Sequence, residues 1–179
     1  MPAKLRIGVM LDDWVVPNWV HAILSEIHSS GELELSLVVL NSSKVKKSAL
    51  WQKLRNLRGY AFAAYVSTEG RLSAKKVYKD AFAPTDASAL LEPVPLLRVT
   101  PIQSKFVDRF QEDDLDAIRS ANLDVLLRFG FRIIKGDILD TARYGVWSFH
   151  HGDNDFYRGV PPLFWEIYED NPEIGRAHV

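Results

Sequence analysis

Two short apolar runs near the start of the chain constrain the fold most. Residues 5–11 read LRIGVML and residues 33–40 read LELSLVVL. Each has the length and composition of a buried strand. Between them Val20, Ile23, Leu24 and Ile27 recur at the spacing of one helix face. Pro17 suits the first turn of that helix, where its missing N–H costs no hydrogen bond, and Gly31 suits the C-terminal cap. Strand, helix and strand in this order form a βαβ unit, which commits the chain to parallel pairing.

The pattern resumes later. Strands are expected at residues 95–99, 123–129 and 145–149, and helices at 111–121 and 161–169. The first of these helices opens on the acidic EDDLD, which favours a helix N-terminus. The second has Pro161 or Pro162 in its first turn. Residues 136–143 read as a short helix or turn. The expected fold is α/β: an open, mainly parallel Rossmann-like sheet with flanking helices over residues 1–172, incomplete at the C-terminus.

Residues 44–93 interrupt this alternation and read as a basic insertion between core strands. Its first part, 44–79, holds ten Lys and Arg against one acid, Glu69, in a chain whose net charge is −1. Leu50, Leu54, Leu57 and Ala61 predict an amphipathic helix over 49–65, with Lys53, Arg55 and Arg58 on it. A solvated face is the plain reading; a surface for an anionic partner is the sharper one.

Several classes are excluded. The chain has no cysteine, so disulfides and thiolate metal sites fall away. No apolar run reaches the ~18 residues of a membrane span, and residues 1–11 lack the pattern of a secretory signal. A cytoplasmic location without membrane contact is expected. No Walker loop or GxGxxG is present.

The chain has five histidines, and two of them, His150 and His151, stand together at the end of the strand at 145–149. In open α/β sheets that end is where ligands bind. One reading makes the histidines structural. A second gives His150, His151, Asp153 and Asp155 a metal; alternating strand geometry opposes it, because neighbouring residues face opposite ways. A third makes one histidine an acid–base or electrostatic group.

The third reading gains from two segments, LDVLLRFGFRIIKGDIL and GVWSFHHGDNDFYRGVPPLFWEIYEDNP. Across residues 123–172 they resemble the N-terminal catalytic domain of the formyltransferases that use formyl-tetrahydrofolate, as in methionyl-tRNA formyltransferase. Phe129-Gly130 matches the family's aromatic-Gly step and His150 its histidine. Tyr157-Arg158-Gly159 matches the end of the following loop, and Pro161-Pro162 the helix start. The resemblance implies attack of a substrate amine on the formyl carbon, with a tetrahedral intermediate whose oxyanion is stabilised by His150. It implies that Phe129, Gly130 and Phe131 line the folate side, and that His151 and Arg158 position substrate or loop. It implies formyl-tetrahydrofolate as donor, no metal, and an amine, nucleotide-sugar or aminoacyl-tRNA acceptor.

Two departures stand out. Ser148 occupies the place of the family's asparagine, and a hydroxyl offers one donor on a shorter arm. Losing such a donor costs about 2.7–4 kcal/mol of transition-state stabilisation. The alternatives are therefore a catalytically impaired binding or regulatory domain of the same fold, or a sugar- or nucleotide-modifying enzyme with another donor. The family's aspartate also has no match, and the resemblance puts it farther along a longer parent protein. The last seven residues, EIGRAHV at 173–179, read as translated library adapter and are expected to pack poorly.

Overall fold

The apolar run that opens the chain becomes the central strand of the fold. In the computed structural model, residues 3–43, 64, 68, 81–104, 106–149, 164–171 and 177–178 are described. Strand β1 (Leu5–Leu11) is followed by β2 (Val15–Pro17), helix α1 (Asn18–Ser29) and β3 (Leu33–Asn41). Then come β4 (Pro84–Asp86), the short helix α2 (Ser88–Leu91), β5 (Leu96–Val99), β6 (Ile102–Gln103), β7 (Val107–Arg109) and α3 (Glu112–Ser120). Strands β8 (Val125–Arg128) and β9 (Ile133–Ile134), a 3-10 turn (Asp137–Asp140), β10 (Val146–Phe149), helix α4 (Phe164–Tyr168) and β11 (Ala177–His178) complete the described chain.

The main sheet has the order β11-β10-β8-β1-β3-β5. The five strands from β10 to β5 are parallel, so the fold is α/β and Rossmann-like. Both faces are covered, which is why β1 and β3 are apolar without clean alternation. On one face Val9, Leu11, Val38 and Leu40 pack with Val20, Leu24 and Ile27 of α1. On the other, Met10, Val39 and Leu126 pack with Leu115 and Ile118 of α3 and with Ile138. At roughly 1.5–3 kcal/mol for each fully buried large aliphatic side chain, these two clusters supply the main driving force.

Pro17 stands one residue ahead of α1, in extended conformation, rather than in its first turn. The first two helical N–H groups, of Asn18 and Trp19, donate to the carbonyls of Ala83 and Ala81. A strand-bound chain thus caps the helix where no side chain does. The C-terminal cap also differs from expectation. Ser30, not Gly31, ends α1 in extended conformation, and Gly31 is not left-handed. The Ser30 hydroxyl accepts from the N–H groups of Glu32 and Leu33, turning the chain without a glycine.

The predicted helix over 49–65 lies outside the described residues, except for Ala64. The end of the 44–93 stretch belongs with the core: β4 pairs with β2, and Ala87 and Leu91 are buried beneath α1 and β1. Of the helix expected at 161–169, Phe164–Tyr168 is helical, and Pro161 and Pro162 fall outside the described residues. Within 173–179, Ala177 and His178 pair antiparallel with Phe149 and Ser148, where few tertiary contacts were expected. An exposed edge offers a row of free N–H and C=O groups, and an extended backbone can pair with it whatever its side chains.

Candidate functional site

Three strands end side by side at the carboxyl edge of the sheet: β1 at Leu11, β8 at Arg128 and β10 at Phe149. This is where an open α/β sheet binds ligands. The chain leaving β8 folds tightly over the end of β1. The N–H groups of Phe129 and Gly130 both donate to the Met10 carbonyl, at 3.0 and 2.9 Å. A Cβ on Gly130 would lie 2.5 Å from the Asp12 nitrogen and 2.7 Å from the Leu11 carbonyl carbon. Both are backbone atoms that cannot step aside, so close approach, not left-handed backbone, requires glycine here.

Phe131 comes next, with φ +64. Left-handed backbone costs a β-carbon residue about 1–2 kcal/mol. Two contacts offset that cost. The Asp12 carboxylate accepts from the Phe131 N–H at 2.9 Å. The Phe131 ring is buried and lies 5.4 Å, centroid to centroid, from that of Phe110. The same Asp12 oxygen accepts from the Asn41 side-chain amide at 2.8 Å. One carboxylate therefore ties together the ends of β1, β3 and β8.

Arg128 is the last residue of β8 and pairs in register with Ser148 of β10. Its Nη2 donates to the Ser148 hydroxyl oxygen at 2.9 Å. Its Nη1 donates to the carbonyls of Arg132 at 3.0 Å and Phe131 at 3.4 Å. Among the described residues no carboxylate lies within ion-pair distance of this guanidinium. Burial pushes its pKa below the ordinary value, and the charge of Asp12 pulls the other way. Arginine stays charged at neutral pH under such shifts.

Arg128 and Ser148 open onto a cleft of about 750 Å³ whose walls include Ile133, Ile134, Leu139, Val146 and Trp147. Trp147 is fixed by its indole N–H, which donates to the Tyr144 carbonyl. A mostly apolar cleft whose lining also holds Arg128, Ser148, Asp140 and Tyr144 suits a flat, partly polar ligand.

Of the residues singled out in the sequence, Ser148 is in this cleft. Gly130 and Phe131 shape the adjoining loop, with the Phe131 ring turned into the core. Phe129 packs on the opposite face of the sheet, its ring 5.7 Å from Trp19 and 6.0 Å from Phe149. His150, His151 and Arg158 lie outside the described residues, as do Asp153 and Asp155. The structure adds Asp12 and Arg128. Arg128 had a visible signal, a charge inside the apolar run LDVLLRFGF. Asp12 had only its place after the first strand.

No family model and no curated protein sequence matches the chain. Among solved structures it is similar to glycinamide ribonucleotide transformylase 1 from Symbiobacterium toebii, with a TM-score of 0.50 at 12% sequence identity. The likeness covers 97% of this chain and 64% of that one. At that identity the shared feature is the fold.

Proposed function

We propose that the protein to which this chain belongs transfers a formyl group from formyl-tetrahydrofolate to an amine. The observation that carries the reading is the cleft that runs along β10 and has Arg128, the last residue of β8, and Ser148 in its lining. It sits beside the aromatic-Gly loop in a fold shared with a transformylase. The residues present suit the donor: Ile133, Ile134 and Val146 offer apolar walls, and Arg128 and Ser148 offer hydrogen-bond donors at one end. The donor supplies a formyl carbon that an acceptor amine can attack.

The chain's own residues then have defined tasks. Oxygen on the formyl carbon gains negative charge as the C–N bond to the acceptor forms. Ser148 and His150 donate to that oxygen, the histidine by its resemblance to the family's catalytic histidine. The amine must lose a proton and the departing folate nitrogen must gain one, and His150 is the base and acid for that exchange. Phe129-Gly130-Phe131 fix the loop beside the donor. His151 and Arg158 hold substrate. The acceptor is a small amine, a nucleotide sugar or an aminoacyl-tRNA, with the basic stretch at 44–79 as the surface for an anionic acceptor.

Calorimetric titration with a non-transferable formyl-folate analogue tests the reading. Saturable one-to-one binding is the expected result. Absence of binding up to ~1 mM, an affinity weaker than about −4.1 kcal/mol, would overturn it.

A further inference from the structure

The sequence makes Ser148 look like a weakened substitute for an amide donor. The structure supplies the group that strengthens it. A serine hydroxyl has one hydrogen to give and two lone pairs to fill. Arg128 Nη2, 2.9 Å from Oγ, fills one lone pair with a charge-assisted hydrogen bond. That bond withdraws electron density from the oxygen and leaves the hydroxyl proton to point elsewhere. Both side chains line the cleft, so the proton is free to point into it.

The guanidinium is itself held in place. Register pairing of Arg128 with Ser148 puts the two on the same face of neighbouring strands. Nη1 is anchored to the carbonyls of Arg132 and Phe131 on the far side. Its partners are neutral oxygens, and among the described residues none forms an ion pair with it. The positive charge therefore meets no carboxylate in direct contact and acts on Ser148 at close range, in a cleft that Asp140 also lines.

We infer that Arg128 is a positioning residue that polarises the Ser148 hydroxyl, so that the two act as one donor to a developing oxyanion in the cleft. In its catalytic sense the inference rests on the formyl-transfer reading. In its electrostatic sense it does not, and the tests separate the two.

The chain contains no cysteine, so Ser148→Cys introduces a single reporter thiol. A free thiol has a pKa of about 8.5, and a neighbouring arginine lowers it. Alkylation rate followed against pH should give a pKa for Ser148→Cys at least ~1 unit below that reference. Arg128→Met in the same background should remove the shift, and high salt should reduce it even if the double variant folds poorly. A thiol pKa at or above ~8.5 in Ser148→Cys, or a shift insensitive to both Arg128→Met and salt, overturns the inference.

The second arm is kinetic, in the transfer-competent protein. Ser148→Ala and Arg128→Met should each lower kcat by on the order of 10²-fold, with a smaller change in KM for the donor. The double variant should lose little more than either single one, because the two residues work as a unit. Arg128→Lys should not rescue kcat, since one ammonium cannot span Ser148 and the two carbonyls. Multiplicative losses, or full activity in Arg128→Met, overturn the catalytic sense. A depressed, Arg128-dependent thiol pKa in a protein that neither binds the folate analogue nor transfers formyl overturns the formyl-transfer reading and leaves the polarised pair standing.

Discussion

Asp12→Ala tests whether one exposed carboxylate organises the ends of three strands. The substitution removes the acceptor for the Phe131 N–H and for the Asn41 amide. Hydrogen bonds to charged groups contribute about 1.5–3 kcal/mol when well buried. Asp12 is exposed, so the value falls below that range, about 1 kcal/mol for the part-buried bond to Phe131 and less for the bond to Asn41. Phe131 would also keep its left-handed backbone with one of its two supports gone. The expected loss is about 2 kcal/mol, a drop of roughly 30-fold in the folded-to-unfolded ratio. For a chain of this size that lowers Tm by about 4–8 °C. Urea unfolding should show a lower midpoint with an unchanged slope. Asp12→Asn keeps a carbonyl oxygen that can accept from Phe131 and should recover at least half of the loss. A change within about 0.5 kcal/mol for Asp12→Ala would refute the reasoning, because that is the range of an ordinary surface substitution.

Gly31→Ala should be neutral or stabilise by about 0.4–1 kcal/mol in thermal melts, since nothing lies within 4 Å of an added Cβ and the residue is not left-handed. Arg132→Ala should cost about 3 kcal/mol in urea unfolding, because the fully buried Asp108 carboxylate loses its guanidinium and keeps only the backbone N–H of residue 132. Arg119→Ala, which breaks exposed pairs to Glu112 and Asp116, should move the urea midpoint far less than Arg132→Ala does. His150→Ala should lower kcat for formyl transfer by ~10²-fold or more, and His151→Ala should do less; equal small effects would remove His150 from its proposed role.

The parallel core was legible because apolar periodicity is local and strong. Residues 5–11, 33–40, 95–99 and 111–121 became β1, β3, β5 and α3 with boundaries close to those expected. The end of α1 differs from expectation because the residue before Gly31 carries a hydroxyl that does the capping. Ser30 won by bonding two N–H groups that Gly31 has no side chain to reach. The start of α1 was misread for a different reason: its capping carbonyls, at Ala81 and Ala83, come from more than sixty residues away in the chain. The site divides the same way. Gly130 could be singled out by its neighbours in sequence, whereas the bond of Asp12 to Phe131 joins residues 119 apart. No local pattern encodes that distance; only the parallel alignment of β1 with β8 brings the two together.

That alignment also explains how a polar pair is positioned by apolar residues. In the β8–β10 ladder Val146 pairs with Leu126, Trp147 with Leu127 and Ser148 with Arg128. Val146 and Leu126 both belong to the core cluster on the α3 face, and Ser148 and Arg128 follow two residues later on that same face. A slip of one residue would send every side chain of β10 to the opposite side of the sheet. The bulky, half-exposed Trp147 would then have to enter the packed layer around Ile138 while Val146 left it. Overpacking of that kind costs typically about 1–3 kcal/mol, in addition to the burial lost at Val146. The core thus sets the register, and the register sets the 2.9 Å contact between Arg128 and Ser148 in the lining of the cleft.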